Sequence, residues 1–468
     1  MRDCAELLMQ SETRWSCPPS DSMLTSAHLD VMAKAILSGE QERDAVAIRL
    51  VHVLGRKWRW IRPLAGRYLE TFGGQVRPRR REVVSFLRVD PGLVEAWHKH
   101  RHQIKILHWI TGPSSMQPVA AAETWPVPRI ETVRALAEWL ELTPSELQWF
   151  ADLKGLGYKR PQPRLEHYHY RVLAKASGSI RLIESPKDHV KGLQRRILSG
   201  ILDRIPSHPA AHGFVHGRSI QTFAAPHVGR PVVLRMDLEN FFPSFPGARI
   251  QSFFRTVGYP EQVADLLGGI ATNSVPRNAW RDVIRHPGFA LGPQELWHVR
   301  DMYSRPHLPQ GAPTSPSLAN FCSYRLDRRL SGLARSGGAV YTRYADDLAF
   351  SGGDSFDRSA ERFATLVAVI LMEEGFSVQH RKTRIMRPSV RQHLAGLVTN
   401  QRLNVRRSDF DLLKAILTNC VRHRPETQNR ERHPHFRQHL EGRISFVESI
   451  HPEKGRRLRA IFEKIEWE

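Results

Sequence analysis

Cysteine is scarce. Cys4, Cys17, Cys322 and Cys420 lie far apart in a chain of 468 residues and form no CxxC pair. That spacing argues against a zinc ribbon and a disulfide scaffold, and it suits a reducing cytoplasm. Long apolar runs are missing as well: a membrane span needs about 18 consecutive apolar residues, and none occurs. The opening "MRDCAELLMQSE" carries too much charge for the apolar core of a signal peptide, so none is expected. The third shortage is of acid. Against 69 Lys and Arg there are 47 Asp and Glu, a formal charge of +22 with a pI near 10.4. Such an imbalance favours a polyanionic partner, nucleic acid above all, because each phosphate contact releases condensed counterions. The 23 histidines cluster, as in "WHKHRHQ" and "HPHFRQH". Without cysteine or carboxylate ligands at matching spacing, they read as basic surface rather than a metal site.

What is present is ordered along the chain. Residues 1–111 are rich in Arg and Trp ("GRKWRWIRP", "RPRRRE"). Such a mixture suits phosphate contacts and base stacking, or equally a face of Arg stems around core indoles. Residues 112–130, rich in Pro, Ser and Ala, read as a linker. Residues 131–165 read as a helical hairpin. Val133, Leu136, Ala137 and Leu140 form its first stripe, and Thr143, Pro144 and Glu146 start its second helix as a capping box. A DNA-reading helix-turn-helix is the alternative for this pair. From residue 166 to about 400, short strands mix with helices. "YRVLAKASGSIRLIESP" reads as a hairpin turning at Ser177–Gly178, and "RPVVLRMDLENFF" as a buried strand ending at Asp237. Residues 401–468 are again helical and basic.

The chemistry concentrates in "RYADDLAF" at 343–350. Two strand-like flanks enclose Ala345, Asp346 and Asp347 as a hairpin encloses its turn. Adjacent carboxylates repel unless a cation neutralises them, and all-oxygen ligands select Mg²⁺. Asp237, at the end of another strand, would complete a three-carboxylate cradle for two metal ions performing an in-line phosphoryl displacement.

These blocks resemble the bacterial reverse transcriptases, most closely the retron type. "RMDLENFFPSF", "LPQGAPTSPSLANF", "YTRYADDLAFSG", "GFSVQHRKTRIM" and "HLAGLVTNQRLNV" follow one another as the palm motifs of that family do. "SGSIRLIESPKDHVKGLQRRIL" and "AHGFVHGRSI" precede them like its two fingers motifs. The resemblance implies an α/β (α+β) right-hand polymerase with fingers, palm and a small helical thumb, preceded by a mostly helical basic region.

It implies roles as well: Asp237, Asp346 and Asp347 as ligands of two Mg²⁺ ions, with Lys382, or its neighbour Arg381, beside the departing pyrophosphate. Arg181 and Lys187 would clamp the triphosphate. Gln310 and Gly311 would form the nucleotide loop, although Gln310 could instead stabilise a turn. Phe242 would be a steric gate against the ribose 2′-hydroxyl, or else a core ring among Phe241, Pro243 and Phe245. Two marks of the retron type are altered. Its Asn-Ala-x-x-His element corresponds to Asn273–Arg277, with Ser274 and Arg277 substituted. Its Val-Thr-Gly element corresponds to Val398, Thr399 and Asn400, where Asn is expected to replace Gly in a left-handed turn.

Retron membership would imply a noncoding RNA that serves as template and primer, with dNTPs as substrates. Synthesis would start from a guanosine 2′-hydroxyl and give a branched RNA–DNA product, used with an effector protein in antiphage defence. A group II intron-like reverse transcriptase is the nearest alternative; a catalytically silent RNA scaffold and a DNA-binding regulator are the non-enzymatic ones.

Overall fold

The computed structural model describes residues 25–73, 78–108, 115–159, 166–174, 180–280 and 292–467; Cys4, Cys17 and the turn expected at Ser177–Gly178 lie outside them. The chain divides into two compact units. One takes in the described residues up to Glu123 with Arg129–Leu136 and Arg255–Val263, and the other holds Thr124–Pro128, Ala137–Phe254 and Ala264 onward.

In the first unit the helices Ser26–Leu37, Arg43–Leu54, Ile61–Phe72, Arg80–Val89 and Pro91–His100 surround a core that includes Leu29, Ile36, Leu50, Leu64, Val83 and Leu93. Asp90 caps the last of these helices by accepting from the Leu93 N–H at 2.8 Å, and Arg67 grips the same carboxylate at 2.7 and 2.8 Å. Packing separates the two roles open to the Arg/Trp region. Trp58 is 9% exposed and Trp97 8%, so these indoles belong to the core.

In the second unit the hairpin pair β1 (Tyr168–Ala174) and β2 (Ile180–Pro186) is antiparallel. A four-stranded antiparallel sheet follows, made of β3 (Val232–Asp237), β4 (Ala339–Tyr344), β5 (Asp347–Gly352) and β6 (Arg384–Met386), in the spatial order β4-β5-β3-β6. Strands β3 and β5 are nearly all buried, as their apolar runs require. Pleating sorts their side chains. Leu234 and Phe350 pair on one face, where Phe350 meets Tyr341 and Phe363. Phe363 lies on the helix Asp354–Glu373, which packs on this sheet. Val233, Arg235 and Asp237 share the other face with Ser351, Ala349 and Asp347. A small sheet of β7 (His393–Leu394), β8 (Leu397–Val398) and β9 (Asn404–Val405) comes next. The helices Arg407–His423, Phe436–Ile450 and Pro452–Phe462 close the chain around Leu413, Leu417, Leu440, Ile444 and Leu458. Among the described residues no helix is long and apolar enough to cross a membrane.

Candidate active site

The three aspartates meet at one end of the four-stranded sheet. Asp237 closes β3 and is the register partner of Asp347, the first residue of β5. The turn is tighter than the sequence suggested: only Ala345 and Asp346 form it, and Asp347 is already strand. Ala345 has φ +54°, the positive value that a two-residue hairpin turn requires at its first position. Asp237 is 4% exposed and Asp346 half-buried.

Two cations hold the outer carboxylates. Lys382 Nζ donates to Asp237 Oδ1 and Oδ2 at 2.8 and 3.0 Å. It arrives there because the turn His380–Lys382 leads into β6, which pairs with β3, and the Gln379 N–H bonds the Asp237 carbonyl at 2.8 Å. Arg235, two residues before Asp237 and on the same face, donates to Asp347 Oδ1 from Nη2 at 2.6 Å and Nε at 3.0 Å. Among the described residues, no cation pairs with Asp346 in this way. Burial, and then the charge of Asp237, push its carboxyl up to about 6. Burial also raises Asp347, with Arg235 opposing.

Behind the turn lies a buried anchor that the sequence reading did not single out. Arg343 and Asp327 are both 0% exposed, and Arg343 binds the carboxylate from Nη2 at 2.6 Å and Nε at 2.8 Å. Its Nη1 donates to Asn320 Oδ1 at 3.0 Å and to the Ala345 carbonyl at 3.2 Å, so the guanidinium holds the turn directly. Burial opposes the charge of Arg343, but Asp327 outweighs it and the net shift is upward. Asn320 in turn donates to the Gly213 carbonyl at 2.8 Å. Gly213 must lack a side chain, since a Cβ there would come within 2.6 Å of the Ala345 nitrogen. On the face of the sheet that carries Asp237 and Asp347, buried His227 bridges Ser351 Oγ and Thr342 Oγ1, each at 2.7 Å, and burial drives it down to about 3.

The remaining candidates divide. Phe241 and Phe245 pack with Phe376 as core rings, whereas Phe242 is only half-buried, beside Phe214. Of the crowded aromatics, it alone keeps an open edge. Gly311, at φ +134°, is pressed against protein main chain: a Cβ would lie 2.9 Å from the Glu184 carbonyl, and the Glu184 N–H bonds the Gln310 carbonyl at 2.9 Å. Glu184 is fully buried and accepts from Asn273 Nδ2 at 2.8 Å, with His307 Nε2 3.0 Å away. Burial opposes protonation of His307, but the Glu184 carboxylate outweighs it and raises the imidazole. The Asn273 amide is therefore engaged within the protein, while Arg277 is exposed at the start of a short 3-10 turn. Arg181 is exposed on β2, and Lys187 is the N-cap of the helix Asp188–Gly200.

One expectation is corrected. Asn400 is not left-handed; the positive φ values of this region fall on Ala395 (45°) and Gly396 (86°). Asn400 acts through its side chain, accepting from the Gln392 N–H at 3.0 Å and donating to the Val390 carbonyl at 3.0 Å. Thr399 is buried and Val398 half-buried beside it.

Among the described residues, no three His, Cys, Asp or Glu side chains already stand as a metal cage, and Lys382 and Arg235 engage two of the carboxylates. The donor chemistry nevertheless fits a hard divalent ion: three carboxylates without thiolate or imidazole, one of them raised by burial and then by the charge of Asp237.

Comparison with known proteins identifies the family. The family model for reverse transcriptase (RNA-dependent DNA polymerase) matches residues 173–402. The Retron Mx65 reverse transcriptase of Myxococcus xanthus is 41% identical over 310 residues, 65% of this chain and 66% of its own length. The Retron Mx162 reverse transcriptase of the same organism is 35% identical over 353 residues, covering 72% and 67%. The Retron Ec86 reverse transcriptase of Escherichia coli is 29% identical over 288 residues, covering 61% and 77%. The chain thus spans about two thirds of the length of its Myxococcus relatives. With its paired aspartates at a hairpin tip and these relatives beside it, the chain belongs to the bacterial retron-type reverse transcriptases.

Proposed function

We propose that the protein copies a structured noncoding RNA into DNA, starting from an internal guanosine 2′-hydroxyl, and that the branched product serves in antiphage defence with an effector partner. The observation that carries the polymerase reading is the pairing of Asp237 with Asp347 across β3 and β5, with Asp346 in the adjoining turn. In this reading the sheet is the palm, β1 and β2 belong to the fingers, and the three C-terminal helices are the thumb.

Asp237, Asp346 and Asp347 would hold two Mg²⁺ ions, which when bound supply Lewis-acid activation of the attacking hydroxyl and charge stabilisation of the leaving group. The chain's own residues do the rest. Arg235 and Lys382 keep the carboxylates oriented, and Lys382 is the candidate proton donor to departing pyrophosphate. Arg181 and Lys187 bind the triphosphate, Gln310 lines the nucleotide loop, and Phe242 excludes a ribose 2′-hydroxyl. A 2′-hydroxyl primer asks for no different machinery, because in-line attack requires only an oriented oxygen. Arg277, the segment Val398–Asn400 and the basic helices after it supply RNA contacts of shape rather than sequence.

The test is to express the gene with its flanking DNA, isolate small DNA and treat it with a 2′–5′ debranching enzyme. A mobility shift on debranching, absent in Asp346→Asn, is the expected result. Linear DNA with a free or 3′-linked end would defeat the branched-priming reading.

A further inference from the structure

The loop Gly55–Trp60 and the chain from His98 to His108 come from different parts of the first unit yet form one surface. The Leu107 and His108 N–H groups bond the Val53 carbonyl at 2.9 and 3.2 Å. Arg56 Nη1 donates to Gln103 Oε1 at 3.4 Å, and the Trp58 and His100 rings lie 5.1 Å apart. Neither residues 52–60 nor 98–108 contain a single Asp or Glu. Arg56, Lys57, Arg59, Lys99, Arg101 and Lys105 are all exposed on this surface, and among the described residues none of them meets a carboxylate. Six exposed cations on two joined segments that hold no carboxylate of their own repel one another, and a polyanion relieves that repulsion.

The aromatic residues decide which polyanion. Single-stranded nucleic acid is held mostly by bases stacking on exposed rings. Here the indoles are turned inward. Trp58 is 9% exposed under the Arg56 guanidinium, 4.5 Å from its ring centroid, and Trp60 packs against the helical core. What remains outside is six cations and a few imidazoles, of which His52 and His108 stack on each other at 4.9 Å. No indole, phenyl or phenol ring is exposed on these two segments, and that suits a regular double row of phosphates.

We propose that this face of the first unit binds the phosphate backbone of a base-paired RNA stem, as a contact separate from the catalytic centre. The choice of RNA over DNA rests on the proposed copying of a structured RNA; the phosphate chemistry does not.

The test uses the full chain with all six residues changed to Gln, and a second variant with Arg56→Lys, Arg59→Lys and Arg101→Lys. The probes are a 20-base-pair RNA hairpin of unrelated sequence, the same hairpin in DNA, and an unstructured RNA of equal length. Binding is followed by anisotropy across a salt series, and turnover on a saturating short oligo(dT)–poly(rA) primer–template. The Gln variant should bind the RNA hairpin about tenfold or more weakly near 150 mM salt. Its salt dependence should flatten by about three or more units of log–log slope, at roughly 0.9 for each phosphate that the variant leaves unneutralised. The Lys variant should bind as wild type, and turnover on the short template should not change in either. Unchanged hairpin affinity and slope in the Gln variant would overturn the proposal. So would an equal loss for unstructured RNA, a loss confined to the DNA hairpin, or a fall in turnover on the short template. Failure of the polymerase reading would show separately, as absence of incorporation by the wild type.

Discussion

Arg343→Met is the perturbation with the most specific consequences. The methionine roughly fills the space of the arginine stem but removes every bond the guanidinium makes. Among the described residues, the Asp327 side chain then keeps the Tyr341 hydroxyl alone, at 2.8 Å, and the Ala345 carbonyl and Asn320 Oδ1 lose the Arg343 donor. Leaving one member of a buried ion pair uncompensated costs about 3–5 kcal/mol. At roughly 2 °C per kcal/mol for a unit of this size, the melting transition of the second unit should fall by about 6–10 °C. Turnover should suffer independently of stability. The turn carrying Asp346 is tethered through Ala345, and a misplacement near 1 Å at such a site costs about 10²-fold in rate. The double variant Arg343→Met, Asp327→Leu separates the two effects. Exchanging a buried pair for apolar residues is close to neutral, so much of the stability should return, less about 1–3 kcal/mol for the Asn320 and Ala345 oxygens that still lack their donor. The turnover should stay low, because nothing holds the Ala345 carbonyl. The assays are thermal melting and single-turnover dNTP incorporation well below the melting range. An Arg343→Met protein with wild-type melting and turnover would refute the anchor, and a double variant recovering both would refute its link to catalysis.

Two buried histidines should give opposite pH signatures. His227 is held near 3, below its unfolded value of 6.5, so the folded state binds fewer protons between those limits. Its stabilisation is present above pH 6.5 and is lost as pH falls, by about 2 kcal/mol at pH 5. Urea midpoints should therefore drop on acidification, and drop less in His227→Gln. His307 is raised by Glu184, so its contribution is complete below pH 6.5 and fades as pH rises through its folded value; Glu184→Gln should remove that alkaline fade from the same titrations. Phe242→Ala should increase ribonucleotide use relative to deoxyribonucleotide use with little change in melting. Phe245→Ala, in the packed core, should instead cost about 3–5 kcal/mol and lower both uses together. The ratio of the two incorporation rates, measured in soluble protein, distinguishes them.

The strands around the site were legible because their physics is local. The apolar run "VVLRMD" announces a buried strand, and "VYTRY" and "LAFSG" can flank only a short turn. Burial on both faces and a short connection followed from those patterns, although the sequence left Asp347 in the turn and the structure makes it the first residue of β5. What stayed hidden depends on partners distant in sequence. Asp327 sits on a helix sixteen residues before Arg343, and a helical Asp looks like any solvated residue until the fold buries it. Glu184, Asn273 and His307 belong to three separate segments, and their network appears only when the fold brings Asn273 and His307 to β2. The Arg/Trp mixture near the N-terminus has one composition for two roles, and only packing shows that the indoles face inward and the cations outward. At Asn400 the sequence pointed to the backbone, because Gly is the usual residue there, whereas the side-chain amide does the bridging.

The central claim is that Asp237, Asp346 and Asp347 form the polymerising centre, and one measurement addresses it directly. Asp346→Asn removes a charge that the site holds against both burial and the charge of Asp237, so the protein should fold at least as well as the wild type. Single-turnover incorporation of a dNTP on a primed RNA template, with Mg²⁺ present and RNA binding checked in parallel, reads the chemistry alone. Loss of a carboxylate that positions a catalytic ion should raise the barrier by several kcal/mol, a rate loss of about 10³-fold or more. The account predicts that loss with RNA affinity unchanged; incorporation by Asp346→Asn at near the wild-type rate would contradict it.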